Sequence, residues 1–216
     1  TGKAALEGFA DVPGTEIMVF YPQDGVSAMQ KRQMTTQDGK NVNVCAIKGN
    51  FDDCQNGVKA IFTNDEIKKK LDDAGMMFSS ANSINWGRLA PQIIYYISSY
   101  AQLVKDGEIK AGDKINIVVP TGNFGNILAA YYAKNMGMPV NKLICASNSN
   151  KVLTDFINTG IYDRNRDFIT TISPSMDILI SSNLERLLYL LTGENDAQIR
   201  EWFGSLAKTG RYEVSD

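Results

Sequence analysis

A chain of 216 residues with 44% hydrophobic content can bury a sizeable core, as one large domain or two small ones. Its formal net charge of −2 comes from acidic and basic residues mixed throughout, which argues against a nucleic-acid or polyanionic partner, and no apolar stretch is long enough to cross a bilayer. The chain contains no histidine, which excludes Ser-His-Asp and Cys-His catalysis and most zinc sites.

The apolar period alternates between helix-like and strand-like, the signature of an α/β fold with a largely parallel sheet. A helix over residues 3–10 ends at Pro13-Gly14, and a strand follows over 16–21. Ser27 is suited to cap a helix reaching about Thr36, and residues 42–47 form the next strand. Asn50 can cap a helix whose first turn carries Asp52 and Asp53, where negative charge suits the dipole. A short charged helix over 65–73 stops at Gly75, and residues 76–80 are expected as a third strand. The polar run Asn82-Ser83-Ile84-Asn85-Trp86-Gly87-Arg88 then leads into a long apolar helix over 89–105, closed by Gly107. A strand over 114–119, a loop and helix over 122–136, a strand over 142–147 and a helix over 152–159 complete the regular part. Beyond Tyr162 the pattern loosens, with helices expected over 183–191 and 197–207 and no closing element at 211–216. The change of character near residue 82 divides the chain into residues 1–81 and residues 82–216. Both ends read as cuts through a larger protein. Cys45, Cys54 and Cys145 form no CxxC pair and read as reduced, structural thiols of a cytoplasmic protein.

The sharpest local signal is Thr121-Gly122-Asn123-Phe124-Gly125-Asn126, between a buried strand and an Ala-rich helix. Glycines let the backbone approach a ligand and adopt positive φ, and amide N–H groups at a helix N-terminus bind phosphate. The spacing matches neither GxGxxG nor GxxxxGK[ST], so a phosphate cradle and an ordinary tight strand-to-helix turn both fit it.

The string Val119-Pro120-Thr121-Gly122-Asn123-Phe124-Gly125-Asn126 resembles the loop of threonine synthases that holds the phosphate of pyridoxal phosphate. Thr1-Gly2-Lys3-Ala4-Ala5 is similar to the end of that family's Ser-Gly-Asp-Thr-Gly turn. Asn82-Ser83-Ile84-Asn85-Trp86-Gly87-Arg88-Leu89-Ala90-Pro91-Gln92 resembles its NSINWxRLxPQ segment. Ser173-Pro174-Ser175-Met176-Asp177-Ile178 with Ser182-Asn183-Leu184-Glu185-Arg186 resembles its SPSMDI…SNxER stretch. The four stretches stand in the family's order along nearly the whole chain.

The resemblance implies a truncated α/β fold of two three-layer parallel-sheet lobes, the tryptophan synthase beta-like, fold-type II pyridoxal-phosphate architecture. Residues 1–81 would be the smaller lobe, cut at its N-terminus, and residues 82–216 part of the larger, cofactor-phosphate-binding lobe. The implied reaction converts O-phosphohomoserine and water to threonine and phosphate, with pyridoxal 5'-phosphate as cofactor and no metal. Gly122, Asn123, Phe124, Gly125 and Asn126 would hold the cofactor phosphate. Thr1 and Gly2 would grip the substrate carboxylate, and Asn82, Ser83, Asn85 and Arg88 would line the substrate side, where Arg88 offers planar, bidentate donors to a phosphate monoester. Blander roles also fit: Asn82, Ser83 and Asn85 as helix caps, Arg88 as a surface ion-pair partner, Trp86 as packing, and Ser173-Pro174-Ser175 as a structural turn. The family's Schiff-base lysine sits in a Lys-Asp-Phe-type motif that this chain lacks, and the threonine facing the pyridine nitrogen lies in a downstream segment also lacking here. Taken alone, the chain is expected to be inactive.

Overall fold

The computed structural model describes residues 2–214, which fall into two compact units dividing between Asn82 and Ser83.

The first unit opens with α1 (Gly2–Phe9), β1 (Ile17–Pro22), α2 (Ala28–Thr35) and β2 (Val42–Ile47). β1 and β2 pair in parallel from Ile17 opposite Val42 to Pro22 opposite Ile47, with α2 as the crossover that parallel pairing requires. Leu6, Tyr21 and Met34 form the buried centre beneath this layer. The helix starts follow from their caps. Ser27 and Gln30 form a capping box on α2, and Asn50 and Asp53 form another on α3 (Phe51–Phe62). Asn64 caps α4 (Asp65–Asp73), whose first turn carries Asp65 and Glu66. The strand expected over 76–80 does not form. That short apolar run has no ladder partner among the described residues; Met77 lies open to solvent and Phe78 stacks on Phe62 at 4.7 Å instead.

The second unit begins with α5 (Trp86–Leu89) and α6 (Gln92–Lys105). These replace the single helix expected over 89–105, because Pro91 carries no N–H and its ring disfavours a continuous helix. β3 (Ile115–Pro120), α7 (Gly125–Asn135) and β4 (Val140–Ala146) then form a βαβ unit with parallel strands. Its helix packs closely because Ala129, Ala130 and Ala133 are fully buried. α8 (Val152–Thr159) ends at Gly160 in the left-handed region, where glycine is favoured. β5 (Ile161–Asp163), a 3-10 turn at Pro174–Met176, α9 (Leu184–Leu191), α10 (Asp196–Thr209) and β6 (Arg211–Glu213) follow.

The tail expected to lack a closing element instead pairs antiparallel with β5, Tyr162 opposite Tyr212. Phe156, Tyr162, Trp202, Phe203 and Tyr212 make the aromatic packing that holds this pair. Among the described residues no helix is long and apolar enough to cross a membrane.

Candidate functional site

The glycine loop leaves the carboxyl end of β3. Thr121 N–H donates to Ala146 O at 2.8 Å, which prolongs the β3–β4 ladder by one residue. The next two carbonyls are gripped by the segment before α9. Gly122 O accepts from the Ser181 hydroxyl at 2.8 Å, and Asn123 O accepts from the Asn183 backbone N–H at 3.1 Å and from Asn183 Nδ2 at 3.0 Å. A Cβ on Gly122 would lie 3.1 Å from Ser175 O, a tight approach that favours glycine there.

Phe124 stands at φ 62, in the left-handed region, and its buried side chain anchors that conformation in the core. α7 starts directly afterwards with no side-chain cap, as do α6, α8 and α9, but α7 alone of these follows a residue in the left-handed region. Its first-turn N–H groups are therefore open to water or to an anion. Asn126 is exposed on that first turn, where its Oδ1 accepts from the Tyr96 hydroxyl at 2.6 Å. Ser182 lies between the two residues that grip the loop, and its buried hydroxyl has no hydrogen-bond partner among the described residues. A phosphate group fits this donor set: an uncapped helix start, a loop with its carbonyls held away, and an unpartnered hydroxyl on the supporting strand of chain.

Part of the polar run after residue 82 comes against the same loop. Ser83 Oγ accepts from Asn183 Nδ2 at 3.1 Å, and a Cβ on Gly125 would lie 2.5 Å from Ser83 Oγ. Arg186 donates to Ser83 O at 2.9 Å, to Ile84 O and to Asn183 Oδ1. Asn85 Oδ1 accepts from Gly87 N–H at 2.9 Å and so caps α5, the blander of its two expected roles. Arg88 is half-buried in α5, with its carbonyl accepting from Gln92 Nε2 at 2.8 Å. Trp86 is half-exposed and meets Tyr132 edge-on at 5.4 Å, as a packing residue would.

Gly2 and Asn82 lie in the first unit, and Thr1 is outside the described residues. Gly2 opens α1, where a Cβ would lie 3.0 Å from Met34 Sδ, so packing alone already demands a small residue. Asn82 N–H donates to Ser80 Oγ at 3.2 Å.

Sequence reasoning did not single out Ser181, Ser182, Asn183 or Arg186 as contributors to the site. Their signal was the match of Ser182-Asn183-Leu184-Glu185-Arg186 to the SNxER stretch, which marks the family without naming a contact for any of them. The neighbouring Asp177 proves structural. Its buried carboxylate accepts from Asn148 Nδ2 at 2.6 Å, Asn150 Nδ2 at 3.1 Å, and both the N–H and the hydroxyl of Thr171 at 2.8 and 2.7 Å. Burial raises the pKa of the Cys54 and Cys145 thiols, so neither is set up as a thiolate nucleophile.

No protein-family model matches the chain. Along its whole length it is similar to threonine synthase from Pseudomonas aeruginosa, 42% identical over all of this chain and 44% of that protein. It is 40% identical to threonine synthase from Saccharomyces cerevisiae over 99% of this chain and 42% of that one. The human protein named threonine synthase-like 1 is 45% identical over 99% of this chain and 30% of its own length. The chain is a homologue of the threonine synthases. Its α/β fold is theirs too: PLP-bound threonine synthase from Brucella melitensis superposes with a TM-score of 0.84 at 41% identity, covering all of this chain and 44% of that one. The yeast threonine synthase structure gives 0.81 at 39% identity. The chain thus spans between about a third and under a half of the length of these relatives. Within the threonine synthase pattern, the structure joins the Asn123 carbonyl, Ser83 and the SNxER segment in one hydrogen-bonded cluster.

Proposed function

We propose that the enzyme carrying this segment uses pyridoxal 5'-phosphate to convert O-phosphohomoserine and water to threonine and phosphate in the cytoplasm. Residues 82–216 supply the cofactor-phosphate loop and one wall of the substrate site, and residues 1–81 belong to the smaller lobe. The observation that carries this reading is the uncapped start of α7 behind the left-handed Phe124, at the carboxyl end of a parallel strand. Ligands of open α/β sheets bind at that end.

When bound, the cofactor supplies the electron sink for the chemistry at the substrate's α and γ carbons. The chain's own part is to bind and orient. Backbone N–H groups of Gly122, Asn123, Phe124, Gly125 and Asn126 hold the cofactor phosphate, with the Phe124 ring serving only as the core anchor. Ser83 and Asn82 present polar atoms to the substrate, with Asn85 fixing the start of the α5 turn that carries Arg88. Arg88 receives the departing phosphate through its planar donors. Gly2, with Thr1, belongs to the turn that takes the substrate carboxylate. As an isolated polypeptide, residues 1–216 bind without turning substrate over, since none of the lysines stands in the family's Lys-Asp-Phe-type context.

Assaying the full-length polypeptide with O-phosphohomoserine tests the proposal. It should release threonine and inorganic phosphate in equal amounts. Release of a keto acid with no threonine would contradict it.

A further inference from the structure

Arg186 is half-buried, yet among the described residues it forms no ion pair. Its guanidinium donates instead to the carbonyls of Ser83 and Ile84 and to Asn183 Oδ1. Asn183 is fully buried and uses its remaining donors on Ser83 Oγ at 3.1 Å and on Asn123 O at 3.0 and 3.1 Å. Each of these groups is committed, and the two residues touch both ligand-facing segments while occupying neither. Gly125 completes the arrangement, because its missing Cβ is what lets Ser83 approach.

We infer that Asn183 and Arg186 are positioning residues that lock the Ser83–Ile84 backbone to the phosphate loop, so that one clamp sets the geometry of both the cofactor-phosphate and the substrate sites. This rests on the reading of residues 122–126 as the cofactor-phosphate loop. A planar fork is needed to reach several oxygens at fixed angles, which a lysine ammonium on a flexible stem cannot reproduce. Loss of the clamp therefore moves two sites at once, where substitution of a direct ligand would move one.

The test compares Arg186→Lys and Asn183→Ala in the full-length polypeptide with Asn126→Asp as the reference for the loop itself. Asn126→Asp preserves the acceptor for Tyr96 and adds a negative charge on the first turn of α7. It should weaken pyridoxal 5'-phosphate at least about tenfold, the loss expected for one charge-assisted contact. Arg186→Lys should raise the cofactor dissociation constant and the KM for O-phosphohomoserine together, each about tenfold. It should also move the 31P resonance of the bound cofactor phosphate toward that of free cofactor. Asn183→Ala should act in the same direction. If Arg186→Lys does not fold, Ser83→Ala, which removes only the hydroxyl gripped by Asn183, should still move both constants. The clamp is refuted if folded variants keep unchanged cofactor affinity, 31P shift and KM while Asn126→Asp loses cofactor. If Asn126→Asp itself leaves cofactor affinity unchanged, the loop assignment fails and the clamp with it.

Discussion

Gly125 shows how one residue type answers to several demands. From the sequence it reads as a glycine that opens room for phosphate, whereas in the structure its absent side chain makes room for Ser83 and Asn183. A methyl group there would lie 2.7 Å from Ser83 Cβ, which is fixed to the backbone and cannot rotate away. Gly125→Ala should cost about 1–3 kcal/mol, typical of forced overpacking, and a thermal melt lower than wild type would show it. Arg88 offers the complementary case. If it takes the substrate phosphate, Arg88→Ala should raise KM for O-phosphohomoserine by roughly ten- to a hundredfold, the loss of a charge-assisted hydrogen bond. Steady-state kinetics beside a cofactor titration checks this, and the cofactor constant should stay put.

At the scale of elements, caps and turn residues were readable because their physics is local. Ser27 and Asn50 cap the helices they announce, β2 and α8 occupy the expected residues, and Gly160 ends α8. The misreadings have physical causes of two kinds. Pro91 was a visible break whose weight was outbid by a long apolar pattern. The β5–β6 pair consists of short strands joined across a long stretch of chain, so neither carries a periodic signal of its own.

That pair also holds a buried cost. The Tyr212 ring stacks on Tyr162 at 5.2 Å, but its buried hydroxyl has no hydrogen-bond partner among the described residues, and burial pushes its pKa upward. Tyr212→Phe keeps the ring and removes the unsatisfied group, so stability should rise by about 1 kcal/mol in chemical denaturation. Beside it, Asp155 accepts from Arg166 at 2.7 Å, and this hydrogen bond holds its carboxyl pKa below the ordinary value. A lowered folded pKa stabilises above the unfolded value of about 4 and is lost as pH falls through the folded one. Asp155→Asn should therefore leave a shallower loss of stability below about pH 4 in acid titrations.

For the whole molecule, the fold class and the strand-to-helix glycine loop were legible because each is written in a contiguous stretch: alternating periods for the first, a glycine run between strand and helix for the second. The support of the loop was not. Asn183 meets Ser83 across 100 residues, and Arg186 meets it across 103, so only the folded chain brings these groups together. The placement of Ser181 and Asn183 on the carbonyls of Gly122 and Asn123 is likewise visible only in the folded chain.

The central claim is that the backbone around residues 122–126 receives the cofactor's phosphate, and it is tested most directly by amide chemical shifts in the full-length polypeptide. On titration with pyridoxal 5'-phosphate, the largest N–H displacements should fall on Gly122 through Asn126, and unphosphorylated pyridoxal should leave those amides nearly unmoved. Saturable binding whose largest displacements lie elsewhere, with the loop amides silent, would contradict the account.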